Sequence, residues 1–230
     1  MQKYTLKIEL LSDTIFSGGE SIVSVSDIDV LYDDYKIPFY KGKSIKGNIR
    51  EVIDIILENQ KLYDEDKSKI NEEVATKLFG KTFNNNGKNY YRDNQEEGCL
   101  KFQNASINKE TIKALKYLVD SKIITQDEII DSLTDIRYAT KIDKDTGTST
   151  EGSLRSMRVL NKNLCFYGDI YSEEKLDEHE LGLLLCGVNG VRHLGTLRSR
   201  GKGEVKCTLL IDNEELSNEE LNKIVEKVIG

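Results

Sequence analysis

The chain has 230 residues, 38% apolar and 32% charged, with a formal net charge of −7. That length gives one large or two small domains with enough chain for a real core, and no run of about 18 apolar residues exists to span a membrane. Net acidity by itself argues against a polyanionic partner, and four scattered cysteines (Cys99, Cys165, Cys186, Cys207) without a CxxC pair read as small core groups rather than disulfides or a zinc site.

Residues 2–11 alternate, with Tyr4, Leu6, Ile8 and Leu10 against polar neighbours, and predict a strand. The same stretch lacks the apolar centre of a secretory signal, so a reducing cytoplasm is the expected compartment. Residues 12–43 are irregular and contain the only proline, Pro38. From Ser44, which can act as a cap, Ile45, Ile49, Val52, Ile53, Ile56 and Leu57 fall at helical spacing. Residues 61–76 are charged and read as a solvated, partly helical insertion, and 81–98 as a loop. Residues 100–107 alternate as a strand. Residues 110–133 have helical periodicity broken near Thr125-Gln126-Asp127. Within 138–158, Asp143-Lys144-Asp145-Thr146-Gly147-Thr148 is a turn signal between polar arms and predicts an exposed hairpin. A strand over 163–171, a Leu-rich helix over 176–191, a strand over 204–211 and an amphipathic helix over 214–229 complete the chain. Without the insertions the order is strand, helix, strand, strand, helix, strand, which predicts an α+β, ferredoxin-like core of the kind also used by RNA-recognition modules. The aromatic strand motif of those modules is absent, so contacts to RNA are expected from loops and insertions.

Net positive charge is concentrated in islands. Residues 36–50 carry Lys36, Lys41, Lys43, Lys46 and Arg50 with no acid, and 192–206 carry Arg192, Arg198, Arg200, Lys202 and Lys206 against Glu204 alone. Residues 137–158 carry five cations against three acids. In the second island, Leu194 to Val205 combines three glycines with Arg198, Arg200 and Lys202 ahead of a strand. Such a loop reads as a cradle for a phosphate backbone, since glycine permits close backbone approach and the cations suit phosphate oxygens. Lys43, Lys46 and Arg50 share one helix face, and Ser44 with the first-turn N–H groups offers a phosphate site. The triplet Gly42-Lys43-Ser44 is no P-loop, because position 37 is Ile37 and not glycine. His179 lies among Asp177, Glu178 and Glu180 and reads as an exposed side chain. His193 precedes the glycine-rich loop, where an imidazole is a candidate acid or base.

Ile37-Pro38-Phe39-Tyr40-Lys41-Gly42-Lys43-Ser44-Ile45-Lys46-Gly47-Asn48-Ile49-Arg50 resembles the "IPGSSLKGxLR" signature of the RAMP superfamily of CRISPR proteins. Leu78-Phe79-Gly80 followed by Gly98-Cys99-Leu100-Lys101-Phe102 is similar to its "LFG … GxLxF" run, and Leu194 to Val205 to its C-terminal glycine-rich loop. Residues from Ile142 to Arg158 resemble the thumb hairpin of the backbone subunit of type III effectors, and the nearest resemblance is to the Csm-type backbone subunit. The chain departs from the signature at Lys41 and Lys43, where the family often has Pro and Ser; both changes add positive charge.

The resemblance implies a single RAMP domain with its core at about 1–60, 98–107 and 160–230, carrying insertions at about 61–97 (helical) and 108–159 (including the thumb). It implies a subunit that binds guide RNA, assembles with copies or paralogues of itself and with the large and small subunits of a type III complex, and cuts target RNA with a divalent metal, Mg²⁺ or Mn²⁺. Guide contact falls on Lys41, Lys43, Ser44, Lys46, Arg50, Arg198, Arg200 and Lys202, and at the hairpin tip on Lys144, Thr146 and Thr148. The family's catalytic acid lies in a "VDxPVIxD" run. Ser26 to Asp33 matches it, which makes Asp27 the catalytic residue and metal ligand, with Asp29 (at the proline position) and Asp33 as alternatives. RNA cleavage requires the 2′-OH in line with phosphorus and stabilisation of extra phosphate charge. A solvated aspartate, with a pKa of roughly 3.9, is a poor base, so Asp27 suits metal binding or orientation of the 2′-OH better than proton abstraction. Two other readings remain: a guide-processing endoribonuclease using His193, and a scaffold that binds guide RNA without cutting.

Overall fold

Alternating burial of Tyr4, Leu6, Ile8 and Leu10 makes β1 (Gln2–Leu10) the central strand of the molecule. The structure is a computed structural model, and it describes residues 1–17, 27–81, 97–150 and 152–229; most of the loop expected at 81–98 lies outside the described residues. In chain order the remaining elements are β2 (Phe39–Tyr40), α1 (Gly42–Gln60), α2 (Glu65–Phe79), β3 (Leu100–Phe102), β4 (Ala105–Ser106), α3 (Lys109–Asp120), α4 (Gln126–Leu133), β5 (Thr134–Ala139), β6 (Arg155–Leu160), β7 (Cys165–Ser172), α5 (Glu178–Gly190), β8 (Val205–Ile211), β9 (Glu214–Glu215) and α6 (Asn218–Ile229).

β1 pairs antiparallel with β7 on one side (Leu6 opposite Gly168) and with β8 on the other (Leu6 opposite Leu209). β3 and β4 both pair with β7, β2 edges β4, and β9 edges β8, giving an antiparallel seven-stranded sheet. β5 and β6 form a separate two-stranded hairpin. The strand expected over 100–107 is broken: Phe102 pairs with Ile170 and Ser106 with Tyr167, so one extra residue bulges between them. Asn104 in that bulge turns its Oδ1 to accept the Gly42 N–H at 2.9 Å, fixing the start of α1 against the sheet.

That contact also corrects the predicted helix start. The N-cap of α1 is Lys41, without a side-chain cap, and Ser44 already lies in the first turn, its N–H bonded to Lys41 O at 2.9 Å. From there Ile45, Ile49, Ile53 and Leu57 bury one stripe, three to four residues apart. α5 is apolar around most of its circumference because it is enclosed by α1, α2, α6 and β8. It begins with a capping box between Asp177 and Glu180, and the nearly buried Glu180 carboxylate also holds Lys77 of α2.

The 61–76 segment is less solvated than its charge implied. α2 buries Ser68, Asn71, Ala75, Leu78 and Phe79. Asn71 donates to Gln60 Oε1 and to Val228 O, tying α1 and α6 to α2. His179, expected to be exposed, is half-buried against Asn71 Oδ1 at 2.5 Å. The two pieces of the "LFG … GxLxF" motif abut through a Gly80–Glu97 bridge and a Cys99 N–H to Lys77 O bond of 2.9 Å. All four cysteines are free; burial pushes the Cys186 thiol up to about 11 and Cys207 to about 12. Among the described residues no helix is long and apolar enough to cross a membrane.

Candidate nucleic-acid interface

The glycine-rich loop is shaped first by the protein's own backbone. Gly195 and Gly203 have φ of +83° and +80°, and a Cβ there would lie 2.3 Å from Ile15 O and 2.1 Å from Leu194 O. Only glycine fits both constraints. Leu197 also adopts a left-handed conformation (φ 59°) and launches a single 3-10 turn, Arg198–Arg200, closed by Gly201. This strained, short turn projects the two arginines outward.

Arg198 is anchored: its Nη2 donates to Asn48 Oδ1 at 2.6 Å and its Nε to Gly195 O at 3.1 Å. Asn48 in turn donates to Tyr40 Oη, whose ring stacks on Phe16. The loop is therefore locked onto α1. Lys202 lies 3.8 Å from Asp13, which also binds Arg137 of β5 at 2.9 Å, so one carboxylate ties the loop to the hairpin. Arg200 is exposed and, among the described residues, has no side-chain partner. It lines a groove of about 230 Å³ together with Ala139, Thr140, Lys141, Ser153 and Arg155 from the two arms of the hairpin. Among the described residues, Lys141 and Arg155 likewise hold no side-chain hydrogen bond or ion pair, and no acid lines the groove.

Asp27 is held by the strand that carries one wall of this groove. The 27–29 segment runs along β6: Asp27 N–H donates to Ser156 O at 3.0 Å, Ser156 N–H donates to Asp27 Oδ2 at 2.8 Å, and Arg158 N–H donates to Ile28 O at 2.9 Å. Ser156 directly follows Arg155, so the exposed Asp27 carboxylate and the cationic groove share one strand. The alternatives are placed differently. Asp29 is 7% exposed and faces Arg158 at 3.6 Å, while Arg158 also binds Asp131. Asp33 Oδ1 accepts the N–H groups of Tyr35 and Ile37, both at 2.9 Å, and serves as a turn former. A hard divalent cation needs oxygen donors, and Mg²⁺ is commonly held by one or two carboxylates completed by substrate phosphate and water. All three carboxylates accept hydrogen bonds from the protein; Asp27, bound among the described residues only to Ser156, is the exposed one, whereas Asp29 is nearly buried against Arg158 and Asp33 holds a turn. Among the described residues no three His, Cys, Asp or Glu side chains converge, at Asp27 or at any other place.

The cationic stripe on α1 runs along the opposite side of the helix from Asn48. Lys41 and Lys43 are exposed, but Lys46 is half-buried in the field of Glu97 and Cys99, and burial pulls its ammonium pKa down. Arg50 is 13% exposed and donates to Asp54 at 2.7 Å. The structure thus ties Asp27 to β6, sets Arg200 against the two arms of the hairpin, links Arg198 to α1, and leaves Lys46 and Arg50 on the far side of α1 from Asn48. At the hairpin tip Lys144, Thr146 and Thr148 are exposed. Asp143 organises that turn by accepting from Asp145 and Thr146 N–H, which holds its carboxyl below the usual range. Lys141 and Arg155 were missed by motif reasoning; the signal available was the cation excess of 137–158. His193 bridges to Glu204 and faces a second recess beside Asn48.

An antiparallel sheet layered with helices, a groove lined by three cations and an inserted hairpin define an α+β protein. The sequence model of the RAMP superfamily matches residues 7–206, and the chain belongs to that superfamily. A comparison with curated proteins yields no match. Among solved structures, the chain is similar to one in the cryo-EM structure of the Type III-B Cmr-beta bound to cognate target RNA. That pair has a TM-score of 0.61 at 14% identity, covering 91% of this chain and 97% of the other. It is also similar to a chain in the apo-state cryo-EM structure of Type III-B Cmr-beta, with a TM-score of 0.63 at 15% identity, covering 93% and 99%.

Proposed function

We propose that this protein is the guide-RNA-binding backbone subunit of a type III CRISPR effector complex and cuts complementary target RNA through Asp27. Membership of the RAMP superfamily, and a shared fold with chains from a type III complex described as bound to target RNA, support the setting. The order β8, β1, β7, then β3 with β4, joined as strand–helix–strand twice, supports a ferredoxin-like core carrying the thumb as an insertion. One observation carries the reading: three cations from the hairpin and the glycine-rich loop, unpaired among the described residues, line one groove to which no described acid contributes, with the Asp27 carboxylate hydrogen-bonded to the residue that follows Arg155.

In this mechanism Lys141, Arg155 and Arg200 bind backbone phosphates, and Arg198 fixes the loop that presents them. Asp27, held by the Ser156 N–H, orients the 2′-OH of the strand to be cut. A Mg²⁺ or Mn²⁺ ion at Asp27 would supply charge stabilisation to the scissile phosphate. Other copies of the chain and the large and small subunits complete the assembly.

The test is cutting of a labelled RNA complementary to a supplied guide, with Mg²⁺, with Mn²⁺ and with chelator. Asp27→Ala abolishes cutting and keeps guide binding. Cutting that survives the substitution removes Asp27 from the chemistry and turns attention to Asp29. Guide binding with no cutting by the unaltered protein establishes the scaffold reading, and loss of precursor cleavage in His193→Ala the processing one.

A further inference from the structure

The face of the seven-stranded sheet turned away from α1 and α5 carries the residues that alternate with the core. On β7, Phe166, Gly168 and Ile170 are buried, while Tyr167, Asp169 and Tyr171, all partly exposed, turn to this second face. Tyr171 lies opposite Lys3 of β1 and Lys101 of β3, and Tyr167 opposite Lys7 of β1, so each tyrosine has a lysine directly beside it. Asp169, between the two tyrosines, is 10% exposed. It binds Lys3 at 3.3 Å and Lys109 at 2.6 Å and accepts from the Thr5 and Tyr171 hydroxyls at 3.3 and 3.4 Å. One carboxylate therefore faces two ammonium groups. Lys7 and Lys101 meet Glu215 and Glu173, acids that are 51% and 70% exposed, in ion pairs of the kind that add little stability and yield readily to another anion.

We propose that this sheet face is a second RNA site, a stacking platform on which Tyr167 and Tyr171 take bases of a single strand while Lys3, Lys7 and Lys101 hold its phosphates. The inference rests on the RNA-binding reading above for its ligand, but not on the hairpin groove or on Asp27. Every base has a π-face, so stacking on tyrosine is indifferent to base identity and agrees with a subunit that binds its strand whatever the sequence. Four residues of strand separate the two tyrosines by about 13 Å, so they take two bases with at least one more between them, above the lysine-neutralised Asp169. The lysines favour a nucleic acid over a protein as the occupant: the cores of protein interfaces are depleted of lysine, whereas here one borders each tyrosine. The spacing Tyr-x-x-x-Tyr is not the aromatic motif of RNA-recognition modules, and the platform becomes visible only when β1 and β3 set their lysines beside β7.

The experiment measures the affinity of labelled uridine, cytidine and adenosine dodecamers by fluorescence anisotropy across a salt series. Replacing both tyrosines (Tyr167→Ala with Tyr171→Ala) should weaken all three about 25-fold or more, the lower end for two stacked bases, with the salt slope unchanged. The pair Tyr167→Phe with Tyr171→Phe keeps the rings and should bind within about twofold of the unaltered protein. Lys3→Ala with Lys101→Ala, both exposed positions, should make the slope shallower by about 1.4. Unchanged affinity in the folded alanine variant overturns the inference and leaves the groove reading standing; where that variant does not fold, an unchanged slope in the lysine variant does the same. A loss confined to one homopolymer also overturns it. Loss of self-association in the alanine variant, measured by sedimentation, with RNA affinity intact assigns the face to a protein contact and overturns it. If the tyrosine variant weakens binding while Arg155→Ala with Arg200→Ala keeps the slope of the unaltered protein, the platform stands and the groove reading falls.

Discussion

Arg155 and Arg200 offer the cleanest measure of the groove. Both are exposed and hold no side-chain partner among the described residues, so Arg155→Ala and Arg200→Ala should change stability by no more than about 0.5 kcal/mol. Each cation set against a phosphate displaces a counterion and contributes about −0.7 to the slope of log K against log salt for a single strand. The double variant should therefore have a slope shallower by about 1.4. Taking 1 M salt as the point where this contribution vanishes, affinity falls about 15-fold at 0.15 M and about 65-fold at 0.05 M. Each single variant shows the square root of those factors. The assay is anisotropy of a labelled, unstructured 20-nucleotide RNA across that salt range, with Lys223→Ala on α6 as a control whose slope matches the unaltered protein. A double variant whose slope stays parallel to that of the unaltered protein would mean that the strand does not pass through this groove, whatever the absolute affinity.

Gly203→Ala places a Cβ 2.1 Å from Leu194 O at φ +80° and should cost about 2–3 kcal/mol, read as a lower unfolding temperature, with weaker RNA binding as the loop re-forms. Arg158→Met takes the guanidinium from a carboxylate that is only 7% exposed and should cost about 3 kcal/mol, lowering Tm by about 6–12 °C in circular dichroism. Asp169 gives an acid-side prediction. Its burial raises the carboxyl pKa, but Lys109 at 2.6 Å and Lys3 at 3.3 Å outweigh it and leave the pKa below its ordinary 3.8. The stabilisation is therefore present above that value and is lost as pH falls through the lower folded-state pKa. Asp169→Asn should flatten the acid limb of a stability profile taken between about pH 5 and 2.

The strands and the long helices were legible because burial writes a period into the chain: every second residue of β1 and every third or fourth of α1 meets the core. The break between β3 and β4 was not, because it depends on Asn104 reaching back to Gly42, a contact set by tertiary packing. Cation spacing on α1 was read correctly as one face, yet spacing carries no information on what that face meets; Arg50 and Lys46 turn toward acids and burial. The three glycines of the cationic loop read as room for a ligand, whereas two are required by the carbonyls of Ile15 and Leu194. Arg155 and Lys141 carry no motif and become visible only when the hairpin closes on Arg200.

Asp13 explains how an acidic chain can present such a groove. It accepts from Arg137 on the hairpin and lies 3.8 Å from Lys202 on the glycine-rich loop, and its own carbonyl takes the Gly203 N–H at 2.9 Å. Two cations of the basic islands are thereby withdrawn from ligand contact. What they provide instead is position, because the same carboxylate joins the hairpin to the loop and fixes the separation of the groove walls. A partly shielded ion-pair cluster of this kind adds little net stability, since desolvation offsets much of the Coulomb gain. On the proposed reading it sets the backbone separation from which Arg155, Lys141 and Arg200 would reach a strand, while those exposed side chains are themselves ordered only on binding. Selectivity for a phosphate strand, on that same reading, rests on a few cations left unneutralised among the described residues, which is compatible with a net charge of −7.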